Sequence, residues 1–431
     1  MRILLLLVWA LNIPGASAQG KRDETRITGF LSQQLPGIQI KTLEPRDGFE
    51  LCMELIIPQY LDHGNTALGV FPQTVLLYHR SFKKPNVLVT EGYHLGDRMA
   101  EATLILDANQ ISVEHRFFGD SRPEQIDWQL LNHRQAMSDL HRIRKVLGGL
   151  YKKSWVATGV SKGGTLSAVY SLSYPDDVDA TVSYVAPFVL EQEDPRTIEH
   201  YNRSVSTPEC RAKVRHFQRA MLGQRTALKA LLAELEKRDQ VRFMLDLDKV
   251  IDFAAMEYPF SFWQWGFGCP EIPAATAGAQ EIFEHIEAVV DFNYYDSLTC
   301  AQFLPAYYQF MTEFGYYGFD TTGIGDLLVY KHLTNLEFCP KDADLRYDGS
   351  FMRAMHDKAV RESRNTIYIY GGLDTWTACA IQPSSETNAI KMVKYDGGHR
   401  TRLRDFAEGD RQRAYKALRK WTKHKTKPLP Y

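Results

Sequence analysis

The sequence lacks an excess of charge of either sign. Its 51 Lys and Arg residues are balanced by 52 Asp and Glu residues, so the formal net charge of the 431-residue chain is −1. Proteins that hold nucleic acid need basic side chains to neutralise phosphates, and this balance argues against such a partner. Internal repeats and low-complexity segments are also missing, which argues against a repeat architecture.

Long hydrophobic runs are lacking too. The apolar run at residues 3–11 is much shorter than the roughly 20 residues that a membrane-spanning helix needs. It follows Arg2 and precedes the small residues Ala16, Ser17 and Ala18, an order typical of a cleaved signal peptide. We therefore expect cleavage near Ala18, a secreted or periplasmic protein, and no stable insertion in a membrane.

Cysteines are few, and they lack the spacing of a zinc site. The sequence contains no CxxC pair and no Cys/His cluster, and we expect neither a metal nor an organic cofactor. In an oxidising compartment, six cysteines permit up to three disulfides, but the sequence does not select the pairing and leaves free buried thiols open. The six are Cys52, Cys210, Cys269, Cys300, Cys339 and Cys379.

Apolar side chains are plentiful, at 44% of residues with 12% aromatic, so a large core can form and disorder is excluded as the main state. Strand-like and helix-like segments alternate before residue 190, which favours a doubly wound, mostly parallel sheet. The predicted strands are 49–57, 74–78, 86–90, 110–114, 154–158 and 180–185, and the predicted helices are 98–106, 132–148 and 161–173.

The hydrophobic period changes after this region. Residues 195–332 carry apolar side chains three or four apart, including a helical stretch at 248–262, and are predicted to form a helical cap. Strand patterns return at 365–370 and 392–395, and a last helix is predicted at 407–423. We expect a signal peptide at 1–18, core segments at 19–190 and 346–431, and a cap at 191–345.

The motif that indicates chemistry is Gly159-Val160-Ser161-Lys162-Gly163, a G-x-S-x-G sequence between a predicted strand and a predicted helix. In that context the motif is a nucleophile elbow, a sharp turn that lifts the serine hydroxyl clear of the sheet. Small residues flank the serine because neighbouring backbone comes close, and the helix N-terminus favours developing negative charge. We predict that Ser161 is a catalytic nucleophile.

A serine nucleophile needs a base and an orienting carboxylate on loops after later strands. His399 follows a short strand on the Gly-rich loop 395–399 and is the predicted base. Asp374 follows a strand and a Gly-Gly turn and is the predicted acid. Asp396 is the rival acid, but it precedes His399 too closely to reach round to it.

The oxyanion of such a reaction is held by two backbone N–H groups. One belongs to the residue after the nucleophile, here Lys162, and the other to the loop after an earlier strand. That loop follows residues 87–90, so Gly92 or Tyr93 is the predicted second donor.

Three further segments resemble a known group of peptidases. Residues 114–123 (EHRFFGDSRP) are similar to EHRYYGxSxP, residues 308–317 (YQFMTEFGYY) to YQTCTEFGYY, and residues 371–376 (GGLDTW) to NGxLDPW. These are motifs of the Pro-X carboxypeptidase and dipeptidyl peptidase II family. Over residues 49–406 the chain most resembles the related secreted bacterial prolyl tri/tetrapeptidyl aminopeptidases.

The resemblance implies an α/β-hydrolase core with a helical cap and a serine peptidase that acts after proline. Carried over by motif, Ser161, Asp374 and His399 are nucleophile, acid and base, and Trp376 lines the proline pocket. The chain departs from the family pattern at Thr375, where the family has proline, and at Lys162, where it has tyrosine.

An exopeptidase must locate the end of its substrate, and buried carboxylates can pair with the peptide ammonium. Glu313 and Glu91 lie in the matching motifs and are the candidates, although each could equally serve an internal ion pair. The aromatic cluster around Trp263 and Trp265 is interpreted as cap core, and His115 and Arg116 as structural partners.

The sequence therefore predicts a secreted serine exopeptidase that releases tri- or tetrapeptides from peptides with proline near the N-terminus. A secreted esterase or lipase with the same triad is the first alternative, and a Pro-X carboxypeptidase is the second. A binding protein with a decayed site is disfavoured because every residue type of the triad is present.

Overall fold

This computed structural model describes residues 18–429 of the chain. Its central element is a nine-stranded β-sheet. The predicted signal peptide lies outside the described residues apart from Ala18. The strands are β1 Gln39–Leu43, β2 Leu51–Tyr60, β3 Val70–His79, β4 Asn86–Thr90, β5 Asn109–Val113, β6 Trp155–Val160, β7 Ala180–Tyr184, β8 Thr366–Gly371 and β9 Ile390–Lys394.

The strand order is β1-β2-β3-β5-β4-β6-β7-β8-β9. Strands β1, β2, β3 and β5 pair antiparallel, and every pair from β5 to β9 is parallel. Each predicted strand segment overlaps a strand of the sheet, and the α/β-hydrolase fold with its mostly parallel sheet is confirmed. Strand β1 and the helix before it were not predicted.

Helices cover both faces of the sheet, within the described part of the chain. None of them is long and apolar enough to cross a bilayer. The helices are α1 Ala18–Gln34, α2 Glu101–Leu106, α3 His133–Leu147, α4 Lys162–Ser173, α5 Pro195–Glu199, α6 Pro208–Gly223, α7 Arg225–Asp239, α8 Leu247–Trp265, α9 Ala279–Val290, α10 Ser297–Gln309, α11 Ser350–Glu362 and α12 Glu408–Thr422.

The central strands are buried on both faces, as parallel strands usually are. Because side chains alternate along a strand, Val87 and Val89 face one layer while Leu88 faces the other. The first layer contains α2 and α12, and the second contains α1, α3, α4 and α11. The sheet therefore forms the middle of a three-layer core.

Helices α5 to α10 lie between β7 and β8 in the chain, where the helical cap was predicted. A disulfide joins Cys210 of α6 to Cys269 just after α8, with Cα atoms 5.6 Å apart. The other four cysteines are free and buried. Of the three disulfides that the sequence permits, the structure contains one.

Helix α8 runs without a break through Pro259, which has no N–H to donate to the carbonyl of Ala255. The side-chain amide of Gln218 on α6 donates to that carbonyl instead, at 2.7 Å. Asp246 caps the start of α8, and Gly266 ends it in the left-handed conformation at φ 78°. These contacts keep α8 intact along its whole length.

Candidate active site

Ser161 occupies a strained turn between β6 and α4. Its φ of 57° and ψ of −129° lie outside the regions that non-glycine residues favour. The backbone N–H of Ser161 donates to the carbonyl of Tyr184 on β7 at 2.9 Å, which holds the turn against the sheet. This is the elbow geometry that the sequence predicts.

The glycines beside Ser161 are required by close backbone packing. A Cβ on Gly159 would lie 2.2 Å from the carbonyl oxygen of Gly163, and a Cβ on Gly163 would lie 2.4 Å from that of Thr90. A Cβ on Gly92 would lie 2.7 Å from the backbone nitrogen of Gly163. The loop after β4 is therefore packed directly against the elbow.

The backbone N–H groups of Lys162, Gly92 and Tyr93 are among those in this region that have no acceptor within residues 18–429. Lys162 is the first residue of α4, where N–H groups lack intrahelical partners and the helix dipole favours negative charge. The predicted oxyanion donors are thus free to bind an external anion.

Asp374 and His399 form a hydrogen-bonded pair. The Oδ2 atom of Asp374, which is fully buried, lies 2.7 Å from Nδ1 of His399. Its Oδ1 atom accepts the N–H of Trp376 at 3.1 Å. Because Nδ1 is bonded to the carboxylate, Nε2 is the nitrogen left to accept a proton.

Asp396, the rival acid, makes no hydrogen bond with His399 in the described part of the chain. Its side chain is 78% exposed and forms an ion pair with Lys394. A carboxylate in that position cannot orient a buried imidazole. The structure therefore pairs His399 with Asp374, as the loop-after-strand argument predicts.

Ser161 and His399 line the same cavity, which has a volume of about 350 Å³. No hydrogen bond joins their side chains within the described residues, and catalytic bonds of this kind often tighten only when substrate binds. Most of the lining is aromatic, and the helical region between β7 and β8 supplies much of it. A site of this size and character is suited to a small apolar ligand or a short length of peptide.

Trp376 forms one wall of the cavity. Its ring lies edge-on to Phe260, with centroids 5.0 Å apart, and is flanked by Tyr316 and Tyr317. Thr375, the residue that departs from the family motif, donates its hydroxyl to the carbonyl of Phe260 at 2.9 Å. The departure therefore adds a bond between the core and α8.

The two tryptophans interpreted as cap core have different surroundings. Trp263 is buried in the core as predicted. Trp265 lines the cavity, and its ring lies edge-on to His399 with centroids 6.0 Å apart. The interpretation was wrong for Trp265, because the last turn of α8 points its side chain toward the catalytic loop.

Neither carboxylate proposed to hold the ammonium lies in the cavity. Glu313 accepts the backbone N–H of His133 at 2.8 Å and also pairs with its ring. Glu91 accepts a hydrogen bond from Arg98 at 2.8 Å. Both carboxylates are paired with residues of the protein itself. Their positions therefore do not support a role in binding the substrate's amine.

Glu257 on α8 is the cavity carboxylate that the sequence analysis missed. It accepts hydrogen bonds from the hydroxyls of Ser261, at 2.5 Å, and Tyr317. Burial raises the pKa of Glu257 to about 7. The one signal in the sequence was a lone carboxylate within the apolar stretch that ends α8.

The side chain of Lys162 is buried beneath the oxyanion loop. Its Nζ atom donates to Oε1 of Gln309 at 2.5 Å and lies 5.1 Å from the ring centre of Tyr93. Burial lowers the pKa of Lys162 well below its usual value. The same Gln309 oxygen lies 3.0 Å from Nε2 of His115, which is a structural partner as predicted.

Arg116 is also a structural partner. It is fully buried and forms an ion pair with Asp139 of α3, with Nε 2.7 Å from a carboxylate oxygen. Its guanidinium also donates to the backbone carbonyl of Tyr60 at 3.0 Å. The prediction from sequence is confirmed for this residue.

Known proteins resemble the chain over most of its length. It is 29% identical over 399 residues to the prolyl tri/tetrapeptidyl aminopeptidase of Streptomyces mobaraensis, covering 90% of this chain and 83% of that protein. It is 21% identical over 352 residues to the lysosomal Pro-X carboxypeptidase of Pongo abelii, covering 69% of this chain and 70% of that one. The solved structure of a proline iminopeptidase from Mycobacterium smegmatis aligns over 80% of this chain and 94% of its own, at 12% identity and a TM-score of 0.36.

The family assignment agrees with the resemblance read from the sequence motifs. Residues 27–400 match the PS-10 peptidase S37 family. This range includes the elbow at Ser161, the pair formed by Asp374 and His399, and the whole helical region between β7 and β8. The chain belongs to the PS-10 peptidase S37 family and is a serine peptidase.

Proposed function

We propose that the chain is an exported serine exopeptidase that cleaves after a proline near the N-terminus of a peptide and releases a tri- or tetrapeptide. The observation that supports this most directly is the composition of the cavity. Ser161 and His399 share it with one carboxylate, Glu257, and with no Lys or Arg among the described lining residues. Such a cavity is suited to a peptide whose free amine is positively charged.

In the proposed reaction the hydroxyl oxygen of Ser161 attacks the carbonyl carbon of proline, and Nε2 of His399 takes the hydroxyl proton. Two backbone N–H groups, those of Lys162 and of Gly92 or Tyr93, hold the resulting oxyanion.

The carbon–nitrogen bond then breaks as His399 returns the proton to the leaving amine. Water attacks the acyl-serine in the second half of the reaction and releases the peptide that ends in proline. Asp374 keeps the imidazole in the tautomer that can accept the proton.

Trp376 is the proposed wall of the proline subsite. Its indole is held edge-on by Phe260, so a flat face of fixed orientation borders the cavity. A rigid pyrrolidine ring loses little freedom on packing against such a face, and it buries apolar surface there.

The alternatives are disfavoured by the same cavity. A carboxypeptidase would be expected to pair the substrate's terminal carboxylate with Lys or Arg, and neither is present among the described lining residues. The ester substrate of an esterase or lipase carries no ammonium group, so neither enzyme would use the carboxylate of Glu257 in this way.

Residues 191–345 are proposed to form a cap that completes the cavity, with core segments at 19–190 and 346–431. The cap contributes Glu257 and Trp265 to the lining. The disulfide between Cys210 and Cys269 supports export, because such bonds persist in oxidising compartments.

The proposal is tested with three substrates: Ala-Ala-Pro-anilide, its N-acetylated form and a p-nitrophenyl ester. An aminopeptidase cleaves the first and fails on the second, whereas ester turnover without anilide cleavage would refute the peptidase assignment. Ser161→Ala is expected to lose all turnover while keeping its circular dichroism spectrum. Cleavage of acetylated peptides from the carboxyl end would favour the carboxypeptidase.

A further inference from the structure

Helix α8 presents a row of polar side chains to the cavity. Glu257, Ser261 and Gln264 are spaced four and three residues apart, which places them on one face of the helix, and all three line the cavity. This face runs through a wall that is otherwise mostly aromatic.

The C-terminal end of α8 is hydrogen-bonded to the loops that contain His399 and Asp374. The carbonyl of Gln264 accepts the backbone N–H of His399 at 2.6 Å. One turn earlier, the carbonyl of Phe260 accepts the hydroxyl of Thr375, the residue next to Asp374. These two hydrogen bonds fix the position of helix α8 relative to the catalytic residues His399 and Asp374.

Glu257 lies seven residues before Gln264. At 1.5 Å per residue, this separation is about 10 Å along the helix axis. An extended peptide advances about 3.3–3.6 Å per residue, so about three residues fit between the catalytic end of the row and the carboxylate.

The carboxylate at the far end is rigidly held. Ser261 and Tyr317 each donate a hydroxyl hydrogen bond to it, and the ring of Tyr317 stacks on Phe260 with centroids 3.8 Å apart. A carboxylate has about four acceptor sites, so further sites remain for the N–H groups of an ammonium ion.

We propose that Glu257 binds the α-ammonium group of the substrate and that α8 acts as a ruler, so that the enzyme releases N-terminal tripeptides. The inference rests on the proposed function and adds the residue and the length that determine its specificity. Glu257 is a binding residue here, and the proton transfers remain with His399.

The first experiment measures kcat/KM for Glu257→Gln with Ala-Ala-Pro-anilide and its N-acetylated form. Removing one partner of a buried charge pair costs enough to lower kcat/KM for the free amine at least about 30-fold. Acetylation is expected to have almost no further effect on this variant, although it strongly inhibits the wild type. Glu236→Gln, which changes a cap carboxylate outside the cavity, is the matched control and should behave as wild type.

Labelling by a fluorophosphonate separates loss of binding from loss of the nucleophile. Glu257→Gln is expected to label at Ser161 at the wild-type rate. An undiminished effect of acetylation in Glu257→Gln would overturn the role of Glu257 while leaving the proposed function standing. Failure of the wild type to cleave any prolyl peptide would overturn both.

The second experiment measures product masses from peptides with proline at position two, three or four. The wild type is expected to prefer position three. Combining Glu257→Gln with Ser261→Glu moves the carboxylate four residues, about 6 Å, toward the catalytic end, and should shift the preference to position two. A labelled, folded double variant that still prefers position three would overturn the ruler. If the double variant does not fold, a wild-type preference for another position would overturn it.

Discussion

Glu257 should lower the stability of the free enzyme at neutral and alkaline pH, and its removal should be stabilising there. Burial raises the pKa of this carboxyl from about 4.5 to about 7 in the folded chain. Between these values the folded protein holds a proton that the unfolded chain has released. Stability therefore falls as pH rises through this window.

The size of the effect follows from the shift. A change of one pKa unit corresponds to about 1.4 kcal/mol, so the shift from about 4.5 to about 7 corresponds to at most about 3 kcal/mol above pH 7. Glutamine keeps the shape of the side chain but carries no charge. The free energy of unfolding of Glu257→Gln should exceed that of the wild type by up to about 3 kcal/mol at pH 8 and by less than about 1 kcal/mol at pH 5.

Urea unfolding at pH 5 and pH 8, followed by tryptophan fluorescence, measures this difference. Glu236→Gln is again the control, because its carboxylate lies outside the cavity, and it should show no such dependence on pH. An equal effect of Glu257→Gln at the two pH values would refute the reasoning. So would a variant that is less stable than the wild type at pH 8.

Three other substitutions test the catalytic pair, the elbow and the disulfide. Asp374→Asn should lower kcat about 10⁴-fold by favouring the wrong imidazole tautomer, while the tryptophan fluorescence and the circular dichroism spectrum stay unchanged. Gly163→Ala should destabilise the fold by more than about 2 kcal/mol, because the new methyl would meet the carbonyl of Thr90; a urea midpoint equal to wild type would contradict this. Replacing Cys210 and Cys269 together by serine opens a 59-residue loop and should lower stability by up to about 4 kcal/mol, visible as a lower urea midpoint under oxidising conditions.

The elements around the triad could be predicted because their signals are local. The strand before Ser161, the Gly-Gly turn before Asp374 and the Gly-rich loop before His399 are all readable within a few residues. Burial on both faces made the central strands nearly continuous apolar runs. Helix α1 and strand β1 were missed, although Ile27 and Leu31 of α1 already have helical spacing.

The contents of the cavity could not be predicted in the same way. Glu313 and Glu91 were selected by motif, but the partner of Glu313 is His133, which is 180 residues away in the chain. Glu257 lies in a helix whose apolar residues indicate a core position, and its place in the cavity depends on contacts of α8 with Tyr317 and with the loops after β8 and β9. Periodicity describes one helix at a time, whereas this site exists only where distant segments meet.

The small size of the cavity limits which substrates can reach Ser161. A space of about 350 Å³, lined largely by the helices between β7 and β8, is large enough for a few residues of an extended chain end. A folded domain cannot present its backbone there. A peptidase with this cavity would therefore act on flexible chain ends and not on the folded parts of proteins.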